Sequence, residues 1–246
     1  MIPMRSFTGS EKGFVRRENE DSYVLCIPDD EDLLERKGVL IIVADGVGGG
    51  PGGKRASSMA VELIKDCYYQ QQNEDKLKAL QECLKAANLH IYQEAGRDPL
   101  LRGMATTCTA FVICKTVGFL CHAGDSRAYL LRDRELRLIS QDHTLVNELV
   151  AEGIITPEEG RIHPHRNIIL KALGSASQLD PDTSCLDLQR GDTLLLCSDG
   201  LHGYMSDEEI NSILSENPVE KAGSKLIELA LDRGGVDNIT VVILNI

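Results

Sequence analysis

The feature that most constrains the fold is a set of apolar segments that each begin or end at an aspartate. Asp45 follows GVLIIVA, Asp125 follows FLCHAG and Asp199 follows TLLLCS, while Asp237 precedes NITVVIL. Continuous apolar runs of this length are typical of buried β-strands. Because a sheet fixes where each strand ends, we expect these carboxylates to converge from distant parts of the chain.

Two more acidic residues, Glu20 and Asp21, lie in the segment RRENEDSYVL and join this set. A single Asp-Gly pair is most simply a turn signal, but that explanation accounts poorly for so many coincident cases. Carboxylates that pack together repel, and burial penalises their charge further. A divalent cation would neutralise them, and oxygen-only ligands favour Mg²⁺ or Mn²⁺ over Zn²⁺. Two such ions about 3.5–4 Å apart could share one carboxylate, and Asp45 is the best candidate for that bridge.

Length and charge indicate how many domains the chain forms and which partners are disfavoured. The 246 residues fit one large domain or two small ones, and without a Pro/Ser-rich linker we expect a single domain over residues 1–246. The net charge of −12 argues against binding to nucleic acid or to a membrane surface. No apolar run reaches the roughly 18 residues of a membrane span, and no signal-peptide pattern opens the chain. We expect a monomeric, cytoplasmic protein.

The eight cysteines do not suggest a metal site or a disulfide framework. No C-x-x-C pair occurs, and several cysteines lie inside apolar runs, such as Cys197 in TLLLCSDG. Zinc sites and disulfide frameworks have more closely clustered cysteines. We therefore expect buried, reduced thiols.

Apolar periodicity predicts the main elements. Residues 38–44 form a buried strand, and a glycine-rich turn over residues 45–53 leads into a helix. One face of that helix carries Ala56, Met59, Ala60, Leu63, Ile64 and Cys67. A second helix carries Leu77, Leu80, Leu84, Ala87 and Ile91 on one side. The acidic segment PDDEDLLERKG between the first strands is predicted to be an exposed loop.

The second half of the chain predicts a mixture of strands and helices. Residues 106–139 are expected to form an antiparallel meander, and residues 142–166 a polar surface excursion. Strands are predicted at residues 186–188 and 193–197, helices near 206–214 and 219–231, and a last strand at 238–244. Together these elements predict two sheets covered by helices.

The glycine-rich loop GVGGGPGGKRAS invites two other interpretations. Gly48, Gly53 and Lys54 fit a Walker A pattern except at its last position, where Arg55 replaces Ser or Thr. Gly48, Gly50 and Gly53 also fit a dinucleotide fingerprint. Both nucleotide folds require successive β-α-β units, whereas the later chain predicts an antiparallel meander, so we disfavour both.

Eight motifs in order resemble one family. They are VRRENEDS at 15–22, VADGVGG at 43–49, GG at 52–53, GMATT at 103–107, AGDSR at 123–127, QDHT at 141–144, LCSDGL at 196–201 and DNITV at 237–241. This series is similar to the metal-dependent protein Ser/Thr phosphatases of the protein phosphatase 2C type, in their short bacterial form. The resemblance implies an α+β fold, an α/β/β/α sandwich of two mainly antiparallel sheets flanked by helix pairs, with a flap at about residues 145–173.

The resemblance also implies a dinuclear Mn²⁺ or Mg²⁺ centre. By motif, Asp45 would bridge both ions, the Gly46 carbonyl would bind one ion, and Asp199 and Asp237 would hold the other. Glu20 and Asp21 would act mainly through metal-bound water. Asp125, together with Asp199, matches a third metal site of bacterial members.

Arg16 matches the phosphate-binding arginine of that family, and it completes a catalytic set with Asp21 and Asp45. A planar guanidinium can bind two phosphate oxygens at once. Val47 stands where animal members have the histidine that is their proposed general acid. His143, His163, His165 and His202 are candidates for that role by residue type only, and we expect them to be structural or surface residues.

The resulting hypothesis is hydrolysis of phosphoserine and phosphothreonine in proteins by a hydroxide that bridges the metals, in opposition to a cognate Ser/Thr kinase. Two alternatives remain open from the sequence. One is a non-catalytic phosphoprotein-binding module on the same fold, and the other is a metal phosphoesterase that acts on a small molecule.

Overall fold

The computed structural model describes residues 4–47 and 51–246, at Pro51 the backbone only. Its strands are β1 (Arg5–Glu11), β2 (Ser22–Cys26), β3 (Val39–Ala44), β4 (Gly46–Val47), β5 (Ala105–Thr106), β6 (Cys108–Cys114), β7 (Val117–Ala123), β8 (Arg127–Arg132), β9 (Glu135–Leu138), β10 (Asp182–Asp187), β11 (Thr193–Cys197) and β12 (Ile239–Asn245). Its α-helices are α1 (Glu31–Lys37), α2 (Pro51–Gln70), α3 (Lys76–Arg97), α4 (Leu145–Ala151), α5 (Pro157–Ile162), α6 (Asp199–His202), α7 (Asp207–Glu216) and α8 (Val219–Asp232), with a 3₁₀ turn at Pro99–Leu101.

Two five-stranded antiparallel sheets form the centre of the molecule. One has the order β1-β12-β11-β8-β9 and the other the order β10-β7-β6-β3-β2, while β4 and β5 form a small separate pair. Every strand pair in the described part of the chain is antiparallel, which does not match the parallel β-α-β units of the two nucleotide-binding folds. Gly48 and Gly50, on which those readings relied, lie outside the described residues.

The two faces of β3 define the layers. Leu40 and Ile42 pack into a core with helices α2 and α3, whereas Val39 and Ile41 pack into the core between the two sheets. Successive strand residues point to opposite faces, so a strand that is covered on both sides must be apolar throughout. A third core lies between the other sheet and helices α7 and α8. The predicted α/β/β/α sandwich is therefore confirmed.

The helices α2 and α3 bury the faces that their periodicity predicted. Ala56, Ala60 and Ile64 of α2 are fully buried, as are Leu80 and Leu84 of α3. Apolar residues spaced three and four apart lie on one side of a helix, so each helix covers the sheet with a single stripe.

One predicted loop is wrong, because residues 31–37 form helix α1. The carboxylate of Asp30 accepts a hydrogen bond from the Leu33 amide and so caps the first turn. Acidic residues in the first turn and basic residues in the last also suit the helix dipole. The segment has only a short apolar face, so its helical signal lies in the caps and charges.

The predicted meander is divided between the two sheets. β6 and β7 belong to one sheet, and β8 and β9 to the other. The chain crosses at Gly124, whose φ is +118°, and a Cβ there would lie 2.5 Å from Cβ of Thr107. The strand predicted at 186–188 begins earlier, as β10. Most of its side chains are polar and exposed at a sheet edge, so apolar periodicity does not reveal its first residues.

The expectation that all eight thiols are reduced is wrong for one pair. Cys67 of α2 and Cys83 of α3 form a disulfide across the packed helices. The apolar stripe places Cys67 on the buried face, but no local pattern reveals that Cys83 lies opposite it. The other six cysteines are free thiols. In the described part of the chain, no helix is both long enough and apolar enough to cross a bilayer.

The contact between α6 and β12 requires a glycine at position 200. A Cβ on Gly200 would lie 2.0 Å from the carbonyl oxygen of Asn238. We expect Gly200→Ala to lower the free energy of unfolding by about 1–3 kcal/mol, as overpacking does. Gly96→Ala is the control, because a Cβ there meets nothing within 4 Å and alanine favours a helix. Equal urea-unfolding midpoints for the two variants would contradict this.

Candidate active site

The predicted carboxylates meet at one edge of the sandwich. Asp45 follows β3, Asp125 lies between β7 and β8, Asp199 begins α6, and Asp237 precedes β12. Asp21, which precedes β2, belongs to the same group, because its charge raises the pKa of Asp45. The convergence of strand ends expected from the sequence is what the fold produces.

Asp21 is buried and only half satisfied. Its Oδ2 accepts hydrogen bonds from Ser198 Oγ at 2.7 Å and from Thr240 Oγ1 at 2.6 Å, whereas Oδ1 has no partner in the described part of the chain. Burial raises the pKa of the Asp21 carboxyl to about 7, with smaller contributions from the charges of Asp199 and Asp237, although the two hydroxyl groups oppose the shift.

Asp45 lies at the centre of the group. Burial raises the pKa of its carboxyl well above the ordinary value, and the charges of Asp21 and Asp199 raise it further. Its backbone is fixed, since Thr107 Oγ1 accepts from the Asp45 amide and Thr106 Oγ1 donates to the Asp45 carbonyl oxygen, both at 2.9 Å. The side chain that crowding would displace is thus attached to a main chain that two hydrogen bonds hold in place.

Asp199 and Asp125 form the other side of the group. Burial raises the pKa of the Asp199 carboxyl to about 6, with a contribution from the charge of Asp237. Its Oδ1 is buried without a partner among the described residues. Burial and the charge of Asp199 raise the pKa of Asp125 well above its ordinary value. A buried carboxylate with a free oxygen is a suitable cation ligand.

Glu20 and Gly46 come together through the backbone. Glu20 is buried, its carbonyl oxygen accepts from the Gly46 amide at 3.2 Å, and its amide donates to Oδ1 of Asn238. A Cβ on Gly53 would lie 2.8 Å from Oε1 of Glu20, so the glycine leaves room for that carboxylate.

Sequence reasoning missed several residues that hold this arrangement. Asn238 donates through Nδ2 to the carbonyl oxygens of Lys12 and Glu18, both at 2.9 Å, and so ties the N-terminal segment to β12. Ser198 and Thr240 support Asp21. Each lies within a quoted motif, next to or near a predicted ligand, but no spacing rule distinguishes such a partner from an ordinary strand residue.

Arg16 lies at the open side of the carboxylates. Its Nη2 donates to Oδ2 of Asp237 at 2.6 Å, and its side chain remains 43% exposed. That hydrogen bond, together with the negative charges around it, raises the pKa of the guanidinium, so Arg16 is a permanent cation. Arg17, the next residue in the sequence, makes no ion pair with the described residues.

The chemistry of the site fits a hard divalent cation. The acidic side chains that converge here offer oxygen ligands, and Asp21 and Asp199 each have a buried oxygen that meets no donor among the described residues. In residues 4–47 and 51–246, no three His, Cys, Asp or Glu side chains form a ready-made cage. Mg²⁺ needs none, because it is usually held by one or two carboxylates and keeps several waters.

The histidines are placed as structural or surface residues. His202 Nε2 lies 2.9 Å from the carbonyl oxygen of Asp125, and His143 Nδ1 accepts from the Gly124 amide. Burial lowers the pKa of His202 to about 3, so that ring is neutral near pH 7. His163 and His165 lie around the end of α5 with their rings near each other.

A cleft of about 580 Å³ opens from the carboxylates towards α4 and α5. Its lining includes Asp125 and Asp199 as well as Gly160, Arg161 and Arg166. The segment that carries α4 and α5 is closed at its base by two backbone hydrogen bonds. The Leu145 amide donates to the Ile168 carbonyl oxygen, and the Leu170 amide donates to the His143 carbonyl oxygen. This segment therefore forms one wall of the cleft.

Comparison with known proteins identifies the family. The family profile described as Protein phosphatase 2C matches residues 18–238. The chain is 38% identical to the serine/threonine protein phosphatase PstP of Mycobacterium tuberculosis over its whole length, which is 45% of that protein. It is 36% identical to the serine/threonine phosphatase stp of Listeria monocytogenes serotype 4b, over 95% of this chain and 92% of that one.

A solved structure extends the likeness to three dimensions. The catalytic domain of PstP in complex with two manganese ions superposes with a TM-score of 0.85 at 37% identity, and the match covers 98% of this chain and 97% of that one. The chain spans about half the length of the PstP proteins and nearly all of the Listeria relative. The resemblance inferred from the motifs is confirmed, and the chain belongs to the protein phosphatase 2C family.

Proposed function

We propose that this protein is a metal-dependent protein serine/threonine phosphatase that uses Mn²⁺ or Mg²⁺. The observation that carries the proposal is a group of crowded carboxylates beside a permanently charged, partly exposed arginine. Two of these carboxylates have a buried oxygen that no described residue contacts with a hydrogen bond. The relatives that match this chain bear the name of serine/threonine phosphatases, and one of them binds two manganese ions. Phosphorylated proteins are therefore the proposed substrates.

The proposed ligands follow the motifs. Asp45 would bridge two ions, with the Gly46 carbonyl on one and Asp199 and Asp237 on the other. Glu20 and Asp21 would act through water, and Asp125 with Asp199 would hold a third ion. Bound cations would neutralise the carboxylates, activate water as the nucleophile and polarise the phosphoryl group.

The chain's own residues would bind and orient the phosphate. Arg16 gives one N–H to Asp237, and its remaining N–H groups are available to phosphate oxygens. Oδ2 of Asp21 accepts hydrogen bonds from the hydroxyl groups of Ser198 and Thr240, which leaves Oδ1 to accept a hydrogen bond from water. Val47 has no proton to give, so we propose that water protonates the leaving group.

The rest of the proposal concerns context. We propose a single phosphatase domain over residues 1–246, in which residues 145–173 form a flap beside the active site. By family analogy we propose a cytoplasmic, monomeric bacterial signalling enzyme that opposes a Ser/Thr kinase. Asp45, Asp199 and Asp237 are all present, which argues against a non-catalytic binding module. The names of the relatives argue against a small-molecule phosphoesterase.

We expect Mn²⁺ to stabilise the folded protein through these carboxylates. A ligand that binds only the folded state at about 100 times its Kd adds about 2.7 kcal/mol. Asp45→Asn and Asp199→Asn should lose that gain and their turnover of a phosphothreonine peptide. In EDTA they should melt no lower than wild type, because each loses a repelling charge. Melting curves with and without Mn²⁺ measure this.

Asp133→Asn is the matched control, because it removes a carboxylate from the distant β8–β9 turn. Asp133 has a φ of 52°, which asparagine tolerates. This variant should keep both the manganese shift and full turnover. A wild-type protein that melts identically in EDTA and in Mn²⁺ would contradict the metal proposal.

Replacing Arg16 should impair phosphate binding. A hydrogen bond to a charged group contributes about 1.5–3 kcal/mol, so Arg16→Ala should raise KM for a phosphothreonine peptide roughly 10- to 100-fold. Arg17→Ala removes the same charge one residue away and should change KM little. If both variants show the wild-type KM, another residue binds the phosphate.

A further inference from the structure

Three imidazole rings surround the backbone at residues 124–125, and we call them the histidine cradle (His122, His143 and His202). Nδ1 of His143 accepts from the Gly124 amide at 3.1 Å, and Nε2 of His122 lies 3.1 Å from the Gly124 carbonyl oxygen. Nε2 of His202 lies 2.9 Å from the Asp125 carbonyl oxygen. Since a carbonyl oxygen only accepts, Nε2 of His202 must donate. The cradle thus fixes the turn that carries the Asp125 carboxylate.

His202 connects this turn to a second carboxylate. It lies three residues after Asp199 on helix α6, and residues three apart are neighbours on a helix surface. The same short helix therefore carries the Asp199 carboxylate and the N–H group that holds the backbone of Asp125. The hydrogen bond from His202 restrains the distance between the two acidic residues.

The two carboxylates need such a restraint because they repel. Asp125 is buried, and Asp199 is the charged neighbour that acts on it most strongly. Oδ1 of Asp199 is buried without a partner in the described part of the chain, which leaves it available to a ligand. If the Asp125 turn were free to relax away from α6, a cation would have to draw the two groups together again. A site that is fixed in advance avoids that loss of affinity.

We propose that His202 is a positioning residue that holds Asp125 and Asp199 at the separation needed to bind a divalent cation. This inference rests on the proposed function, in which these two carboxylates hold a third ion. Nε2–H of His202 donates to the Asp125 carbonyl oxygen, so His202 acts through Asp125 and not on the substrate.

Two substitutions separate the hydrogen bond from the bulk of the ring. His202→Gln keeps an N–H donor near the position of Nε2, whereas His202→Leu keeps volume and removes the donor. Mn²⁺ binding to the full chain is measured by isothermal titration calorimetry, with Asp125→Asn as the reference that lacks the third-site carboxylate. Melting temperatures in EDTA report whether each variant is folded.

We expect wild type to bind two ions tightly and a further ion more weakly. His202→Leu should weaken only the last event, by about 10- to 100-fold, which is the usual effect of removing a group that orients a metal ligand. His202→Gln should restore that affinity to within a few-fold of wild type, and Asp125→Asn should abolish the event. If the leucine variant does not fold, His202→Asn replaces it, because its amide is too short to reach Asp125.

Each other result counts against a distinct claim. Wild-type affinity for the weak event in His202→Leu would overturn the role of His202 while leaving the phosphatase proposal intact. The role of His202 would also be overturned if His202→Gln bound the last Mn²⁺ ion as weakly as His202→Leu does. The same holds if His202→Leu weakened every binding event equally and also lowered the melting temperature in EDTA. A wild-type chain that binds no Mn²⁺ at all would instead overturn the proposed function.

Discussion

Carboxylates that lie close together at one edge of the sandwich repel one another, and the residues around them must offset that repulsion. Burial and mutual charge raise the pKa values of Asp21, Asp45, Asp125 and Asp199 together. The fold opposes this repulsion in part through side chains, since two hydroxyl groups donate to Asp21 and Arg16 pairs with Asp237, and in part by hydrogen bonds to the main chain. Thr107 holds the Asp45 amide, and the histidine cradle holds the turn at Asp125. One oxygen each of Asp21 and Asp199 has no hydrogen-bond partner in residues 4–47 and 51–246. Those oxygens are available to the divalent cations proposed above.

Much of the fold could be predicted because buried positions carry apolar residues at the spacing of a strand or a helix. β3 is apolar at every position since one face meets helices and the other meets a sheet. The features that could not be predicted depend on weaker interactions or on contacts between distant parts of the chain. The helix α1 depends on its caps and charges. The change of sheet at Gly124 needs a glycine, because a Cβ there would collide with Thr107, and Cys67 meets Cys83 only when the helices pack.

The candidate site shows the same division. Its carboxylates could be predicted, because an aspartate at the end of an apolar strand is conspicuous and several of them suggest a shared cation. Its supporting residues could not, since Asn238 and Thr240 resemble ordinary residues at the start of a strand and their partners lie about 220 residues away. Residue type alone singles out His202 in the sequence, and its hydrogen bond to the Asp125 carbonyl exists only because α6 packs against the turn.

The most direct test of the central claim is anomalous diffraction at the manganese edge from crystals grown with Mn²⁺. We expect at least two peaks within bonding distance of carboxylate oxygens, with Asp45 shared between them and Asp199 contacting one. Manganese peaks only on the outer surface, with Asp45 and Asp199 free of metal, would contradict the claim that cations hold these carboxylates together.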